Sequence, residues 1–323
     1  MPARGLANQY THEHMATREA DGGILPTEPN RGHGMDRSGR HLAFLLVLLS
    51  TVTNSTSGLL ARSVDSATDW QIIFFRGSTL ALAVTGLLVL RYRGNVIREV
   101  RGIGRWGVLG GLFYAGTNVC YPLALTHTTV ANAMLPLSAI PLFTAVLARV
   151  FLKETVRPAT WVAMAIACGG MVIMLGDGFA AGTVFGNAMA LVAALCFSGF
   201  VVILRRGRTT NMLPSTAVGA AVAVVVAAIM SGGNLSVTPS DLAVCMVWGG
   251  VVTTIAHVLI VYGSRHVAGA ELTLLLLVEF ILGPIWVLLV YAEVPSFLTL
   301  TGGCVVLSAV AIRSILELPR PRD

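Results

Sequence analysis

The chain has 323 residues, of which 55% are hydrophobic and only 12% are charged, and its mean hydropathy is +0.76. A soluble domain keeps about a quarter of its residues charged to wet its surface, so this composition excludes an ordinary soluble protein. The net charge of +6 does not point to nucleic acid, because most basic residues sit in short gaps between apolar blocks.

Residues 1–40 are polar, rich in glycine and charge and free of apolar periodicity, which predicts a disordered tail. The His12-Glu13-His14 triplet inside it reads as incidental rather than as a metal site. No cleaved signal peptide is expected, since the first apolar block lies late and lacks a small-residue cleavage pattern.

Ten apolar blocks follow, at roughly 41–61, 70–90, 104–125, 130–152, 158–176, 183–204, 212–231, 241–263, 269–291 and 296–316. Each is close to the length of about 20 residues that a helix needs to cross a bilayer core of roughly 30 Å. Backbone groups in lipid must bond internally, so blocks of this length must be helices. The predicted fold class is therefore an all-α membrane protein of about ten transmembrane helices.

Basic residues mark the connections. Arg91, Arg93, Arg98, Arg101 and Arg105 follow the second block, Lys153 and Arg157 the fourth, and Arg205, Arg206 and Arg208 the sixth. Arg265 follows the eighth, and Arg313, Arg320 and Arg322 lie at the C-terminal end. The alternate connections carry almost none, with Arg62 the exception. The positive-inside rule then predicts a multi-pass protein of the cell (inner) membrane with both termini cytoplasmic. All five cysteines fall inside apolar blocks without a CxxC spacing, so they read as packing residues, with no disulfide, metal or cofactor expected.

The two halves resemble each other. Tyr121 to Glu154 aligns without gaps on Ile260 to Glu293 at an offset of 139 residues, matching His127 with His266, Ala131 with Ala270 and Glu154 with Glu293. Five helices per half reverse the direction of the second half, which predicts an inverted-topology repeat with a solute site near the midplane. The expected domains are a tail over 1–40, a first repeat over 41–178, a second over 179–318 and a C-terminal tail over 319–323.

FFRGSTLALAVTGLL in the second block, PLFTAVLARVFLKETVRPATWVAMAIACGGMVIML across the fourth and fifth, and EFILGPIWVLLVYAEVPSFLTLTGGCVVLSAVAI in the second half carry a family resemblance. Over all ten blocks the chain resembles the EamA-type branch of the drug/metabolite transporter (DMT) superfamily. Each half ends its fourth block on the family's apolar run followed by glutamate, at Glu154 and Glu293. One departure stands out. The family often has Glu-Pro in the ninth helix, whereas here Glu279 precedes Phe280 and the proline is displaced to Pro284. Any break in that helix is thus expected nearer its outer side. The resemblance implies export of small metabolites by alternating access.

Polar residues within the blocks are grouped. Ser50, Asn54 and Ser57 share one helical face, as do Tyr114, Asn118 and Tyr121. Thr254 and His257 lie three apart, with Trp248 further toward the outer side. Such faces line a water-filled cavity or hydrogen-bond between helices, with small residues such as Gly107 and Gly111 setting close packing. Asn54, Ser57, Tyr114, Asn118, Tyr121, Trp248, His257 and Glu279 are the expected solute-binding residues, with Arg76 and Pro284 in structural or coupling roles.

Glu279 lies about 15 Å into its helix, too deep to snorkel, whereas Glu271 lies about 3 Å inside and reaches water. Three readings of Glu279 are open: a solute or proton site, a permanent ion pair with Arg76, or a cap at a helix break. His127 and His266 lie at helix ends and read as interfacial.

A membrane-embedded enzyme would need nucleophiles, paired carboxylates or a metal cluster at reactive spacing, and no HExxH, GxSxG or phosphate loop occurs. A channel would not need an inverted repeat. The sequence thus points to a transporter of small organic solutes such as amino acids, drugs or related metabolites, and not to an enzyme. Its expected partners are the solute and the bilayer, with a homodimer compatible.

Overall fold

A computed structural model describes residues 37–153, 158–181, 183–206, 212–263 and 269–316. The tail expected over 1–40 lies outside them except for its last residues, which open the first helix.

The elements take the places of the predicted blocks. They are α1 (Arg37–Ser55, resumed as Ser57–Arg62), α2 (Asp69–Tyr92), α3 (Gly104–His127), α4 (Val130–Leu137 and Ile140–Leu152) and α5 (Pro158–Ala181). Then come α6 (Val184–Arg206), α7 (Leu213–Met230), α8 (Pro239–Met246, Val247–Thr253 and Thr254–Gly263), α9 (Gly269–Tyr291) and α10 (Phe297–Leu316). No strand occurs among the described residues. Among the described residues seven helices, α1 to α4 and α6 to α8, are long and apolar enough to cross a membrane. Shorter apolar stretches at Pro158–Gly170, Leu275–Tyr291 and Phe297–Ile312 lie in α5, α9 and α10.

Threonines start three of the helices. Thr68 and Gln71 form a reciprocal capping box on α2, and the Thr129 and Thr238 side chains accept from the backbone N–H groups of Asn132 and Asp241. These caps satisfy orphan donors that lipid could not.

Three local features depart from the sequence expectation. α4 is interrupted at Ser138 and Ala139, between Pro136 and Pro141, because each proline lacks the N–H that would continue the ladder. α9 runs on through Pro284 with no break, so the expected discontinuity is absent. One missing backbone bond is tolerated in a helix held by its neighbours. A short helix, Val96–Gly102, also forms within the basic connection after α2.

Packing joins helices across the chain. α3 lies against both α6 and α7, and α2 against α7 and the Val247–Thr253 turn of α8. α5 packs on α10, and α9 packs on α1, α4 and α10. α2 with α7, α4 with α9 and α5 with α10 each pair a helix with the one five places later. Gly219 lets α7 approach α3, since a Cβ there would strike the Gly111 carbonyl. The surface is apolar, with Leu82 and Leu289 each more than two-thirds exposed, while Ser50, Arg76, Asn118 and Glu279 are buried. Apolar outside and polar inside is the arrangement of a protein solvated by lipid. This is an α-helical multi-pass membrane protein.

Candidate functional site

The site begins with a widened turn in α8. Val247–Thr253 is wound as a π-helix, and the Thr253 and Thr254 hydroxyls donate to the carbonyls of Trp248 and Gly249, five residues back. Such turns shift the register of everything beyond them and are frequent at functional sites. Here the turn brings α8 onto α2 so closely that a Cβ on Gly249 would collide with the Arg76 carbonyl. Trp248, fully buried, comes to lie over the Arg76 guanidinium, 4.9 Å from its ring centre.

Arg76 organises one side of the interior. Its Nη1 donates to Asn118 Oδ1 at 3.2 Å, and Asn118 Nδ2 donates to the Tyr114 carbonyl at 2.9 Å. The Tyr114 hydroxyl meets His257 Nε2 at 2.9 Å, and His257 Nδ1 meets the Thr253 carbonyl at 2.8 Å. A carbonyl can only accept, so a neutral His257 carries its proton on Nδ1 and accepts at Nε2 a hydrogen bond donated by the Tyr114 hydroxyl. α2, α3 and α8 are thereby linked by one polar chain. The face Tyr114, Asn118, Tyr121 expected on α3 points inward together, since all three are buried.

Glu279 organises the other side. Asn54 Nδ2 donates to its Oε1 at 2.6 Å, and Ser57 Oγ donates to Asn54 Oδ1 at 3.4 Å. This joins α9 to α1, as does the bond from Trp286 Nε1 to Ser55 Oγ at 3.0 Å. Ser50 faces α8 instead, donating to the Ala256 carbonyl at 2.7 Å.

Among the described residues no ion pair joins Arg76 to Glu279, so the permanent pairing weighed from sequence is not formed. Tyr121 flanks Arg76, its ring centre 5.9 Å from the guanidinium carbon. Arg76 Nε, Trp248 Nε1 and the Tyr121 hydroxyl are all buried and without a hydrogen-bond partner among the described residues. Neither Pro284 nor His127 enters this cluster by any contact described here; His127 Nε2 lies 3.5 Å from Asp69. The side chains of Glu154, His266 and Glu271 fall outside the described residues.

Two further polar centres escaped the sequence reading as sites. Arg62, singled out there only as an exception in the charge pattern, bridges Glu293 through Nε at 2.7 Å. Its Nη1 and Nη2 donate to the carbonyls of Leu125 and Thr128, while Glu293 Oε1 accepts from the Val130 N–H. This knot ties α1 and α9 to the turn between α3 and α4. Asp241, at the start of α8, accepts from the N–H groups of Asp65, Ser66 and Ala67 and from the Ser66 hydroxyl. The one sequence signal for it was the Thr-Pro-Ser-Asp run, which announces a helix start but not the partner.

A lipid-solvated helical bundle with opposite charges held apart in its interior is an arrangement suited to moving a small solute. The comparisons agree. Residues 41–176 match the EamA-like transporter family. The chain is 24% identical over 275 residues to the pseudopaline exporter CntI of Pseudomonas aeruginosa, covering 82% of this chain and 93% of that one. It is also 24% identical over 270 residues to the S-adenosylmethionine uptake transporter of Rickettsia bellii, covering 81% of this chain and 89% of that one. A solved crystal structure with 20% identity superposes with a TM-score of 0.59 over 87% of this chain and 100% of that chain, and so shares the fold. Residues 41–176 are thus similar to the EamA-like transporter family, and over four-fifths of its length the chain is similar to transporters of small metabolites.

Proposed function

We propose that the protein exports small organic metabolites from the cell by alternating access. Two inverted five-helix halves, residues 41–178 and 179–318, rock about the cluster built on Arg76 and Glu279. The observation that carries this reading is that cluster. α1, α2 and α3 supply Asn54, Arg76, Asn118 and Tyr121, while α8 and α9 supply Trp248, His257 and Glu279, so a solute bound among them touches both halves. The helix pairings support it as well. Exchanging each helix for the one five places later maps α3 on α7 into α8 on α2, and α4 on α6 into α9 on α1. A pseudo-twofold axis in the membrane plane produces this exchange.

The charge pattern supports an inner-membrane orientation with both termini cytoplasmic, which sets the Arg62–Glu293 knot at the outer end. In that orientation the knot would join the two halves at their outer end, where a rocking carrier must part them. Export is the direction in the name of one relative and uptake in that of the other, so direction is the part most open to test. Purified protein in proteoliposomes should exchange a labelled solute against the same unlabelled solute with no net gradient. A channel gives no such counterflow. Everted membrane vesicles should accumulate the solute if the protein is an exporter, and right-side-out vesicles if it is an importer.

A further inference from the structure

Away from the interior cluster, the basic end of the bundle has a groove on its outer surface. Trp106, Leu109 and Phe113 of α3, Val202 and Ile203 of α6 and Phe151 of α4 line it, and Arg206 completes the lining. Gly199 faces Phe113, where a Cβ would come within 2.7 Å of the ring, and seven residues further on Arg206 meets Trp106. α3 and α6 thus run antiparallel along the groove for about 10 Å. Val202 and Ile203 are buried and form its floor, whereas Phe151 is 47% exposed at its mouth. Val108, Leu112 and Val150 on the same helices are exposed and apolar, so the mouth opens on the lipid-facing surface.

Two cations gather at one end of this groove. The guanidinium carbons of Arg206 and Arg105 lie 4.4 and 5.7 Å from the centre of the Trp106 ring. Both arginines are exposed, and among the described residues no ion pair joins either to a carboxylate. Arg91, Arg93, Arg98 and Arg101 precede Arg105 in the same connection, against the single acid Glu99. A cation–π contact does not use up the guanidinium N–H donors, which stay available to an acceptor.

These properties select one kind of occupant. The apolar lining takes hydrocarbon, and the Arg105–Trp106–Arg206 end takes an anion. Phosphatidylcholine carries a quaternary ammonium beside its phosphate and would bring that charge into the basic cluster. A phosphodiester with an uncharged headgroup brings negative charge alone. Free phosphate would leave the groove unfilled. We infer that this groove binds an anionic phospholipid, with its phosphodiester at Arg105 and Arg206 and an acyl chain along Trp106, Leu109 and Phe113. The bound lipid fastens α3 and α4 to α6 at the end that is cytoplasmic in the orientation proposed above. The binding itself depends neither on that orientation nor on the carrier reading.

The test uses the full chain, stripped of lipid in neutral detergent, with thermal unfolding and native mass spectrometry as readouts. The probes are phosphatidylglycerol, phosphatidylcholine with the same acyl chains, and glycerol 3-phosphate. Phosphatidylglycerol should raise the melting temperature most and be retained at least about fivefold better than phosphatidylcholine. Glycerol 3-phosphate, with no chain for the groove, should change neither readout. Joint replacement Arg105→Gln and Arg206→Gln should bring phosphatidylglycerol down to the level of phosphatidylcholine. Arg98→Gln with Arg101→Gln removes the same charge beside the groove and should keep the preference. Leu109→Trp fills the groove, leaves the arginines in place and should weaken retention of both lipids. If the Arg105 and Arg206 variant does not accumulate, Leu109→Trp carries the test. Equal retention of the two lipids overturns the inference, as does an equal response to glycerol 3-phosphate. It is also overturned if the preference survives in the Arg105 and Arg206 variant, falls alike in both arginine pairs, or if Leu109→Trp retains phosphatidylglycerol in full.

Discussion

Arg62 and Glu293 meet at 2.7 Å although 231 residues separate them, and neither is free to pair elsewhere. The guanidinium spends its remaining nitrogens on the Leu125 and Thr128 carbonyls, and the carboxylate its second oxygen on the Val130 N–H. The pair therefore serves as a joint among α1, α9 and the α3–α4 turn. Arg62→Met or Glu293→Gln should each lower stability by about 1–3 kcal/mol, because backbone groups lose partners along with the ion pair. Exchanging the two residues should not restore it, since a carboxylate at 62 would face two carbonyls. Thermal unfolding of the single variants and the exchanged pair checks this; recovery in the exchanged pair would reduce the joint to simple charge attraction.

Adjacent glycines in α8 should differ sharply. Gly249→Ala drives a methyl into the Arg76 carbonyl, whereas at Gly250 the nearest atom is the Thr79 Cβ at 3.4 Å, an ordinary contact. Gly249→Ala should cost about 1–3 kcal/mol or more and lower the amount of protein in the membrane. Gly250→Ala should accumulate and unfold close to the unaltered protein. Equal behaviour of the two would mean that α2 and α8 do not cross at Gly249.

Asn118 is the neutral acceptor that holds Arg76. Asn118→Leu removes that acceptor, so transport should fall by at least about tenfold while stability drops by about 1–3 kcal/mol. Asn118→Asp should act differently. It supplies a permanent counter-charge to Arg76, which should abolish transport without lowering the melting temperature. Transport assays run beside unfolding scans separate the two, and unchanged kinetics in both variants would return Asn118 to packing.

Topology offers an independent check. A reporter fused after Arg322 should read cytoplasmic, and one placed in the connection at Ala181 should read external. The same side for both would remove the inverted arrangement of the two halves.

From sequence alone, the membrane, the helix positions and the family resemblance were legible. Hydropathy over 20 residues is a large summed signal, and the bilayer admits only helices or closed barrels as its solution. The inward grouping of Tyr114, Asn118 and Tyr121 was legible too, because helical periodicity decides which residues share a face. Finer features were not. The interruption of α4 at Ser138 and the unbroken run of α9 through Pro284 depend on whether neighbours replace one lost backbone bond. The π-turn at Val247–Thr253 left no periodic trace, since seven residues are too few to shift a hydropathy pattern. Only the tertiary structure decided the partners of the charges. Arg76 and Glu279 had seemed suited to each other as the deep cation and the deep anion, yet they hold Asn118 and Asn54 instead. Arg62 and Glu293, separately noted in the sequence, turn out to be joined. Pairing follows the distance between side chains on different helices, and that distance is set by rotations and close approaches, such as Gly249 on Arg76, that no single helix encodes.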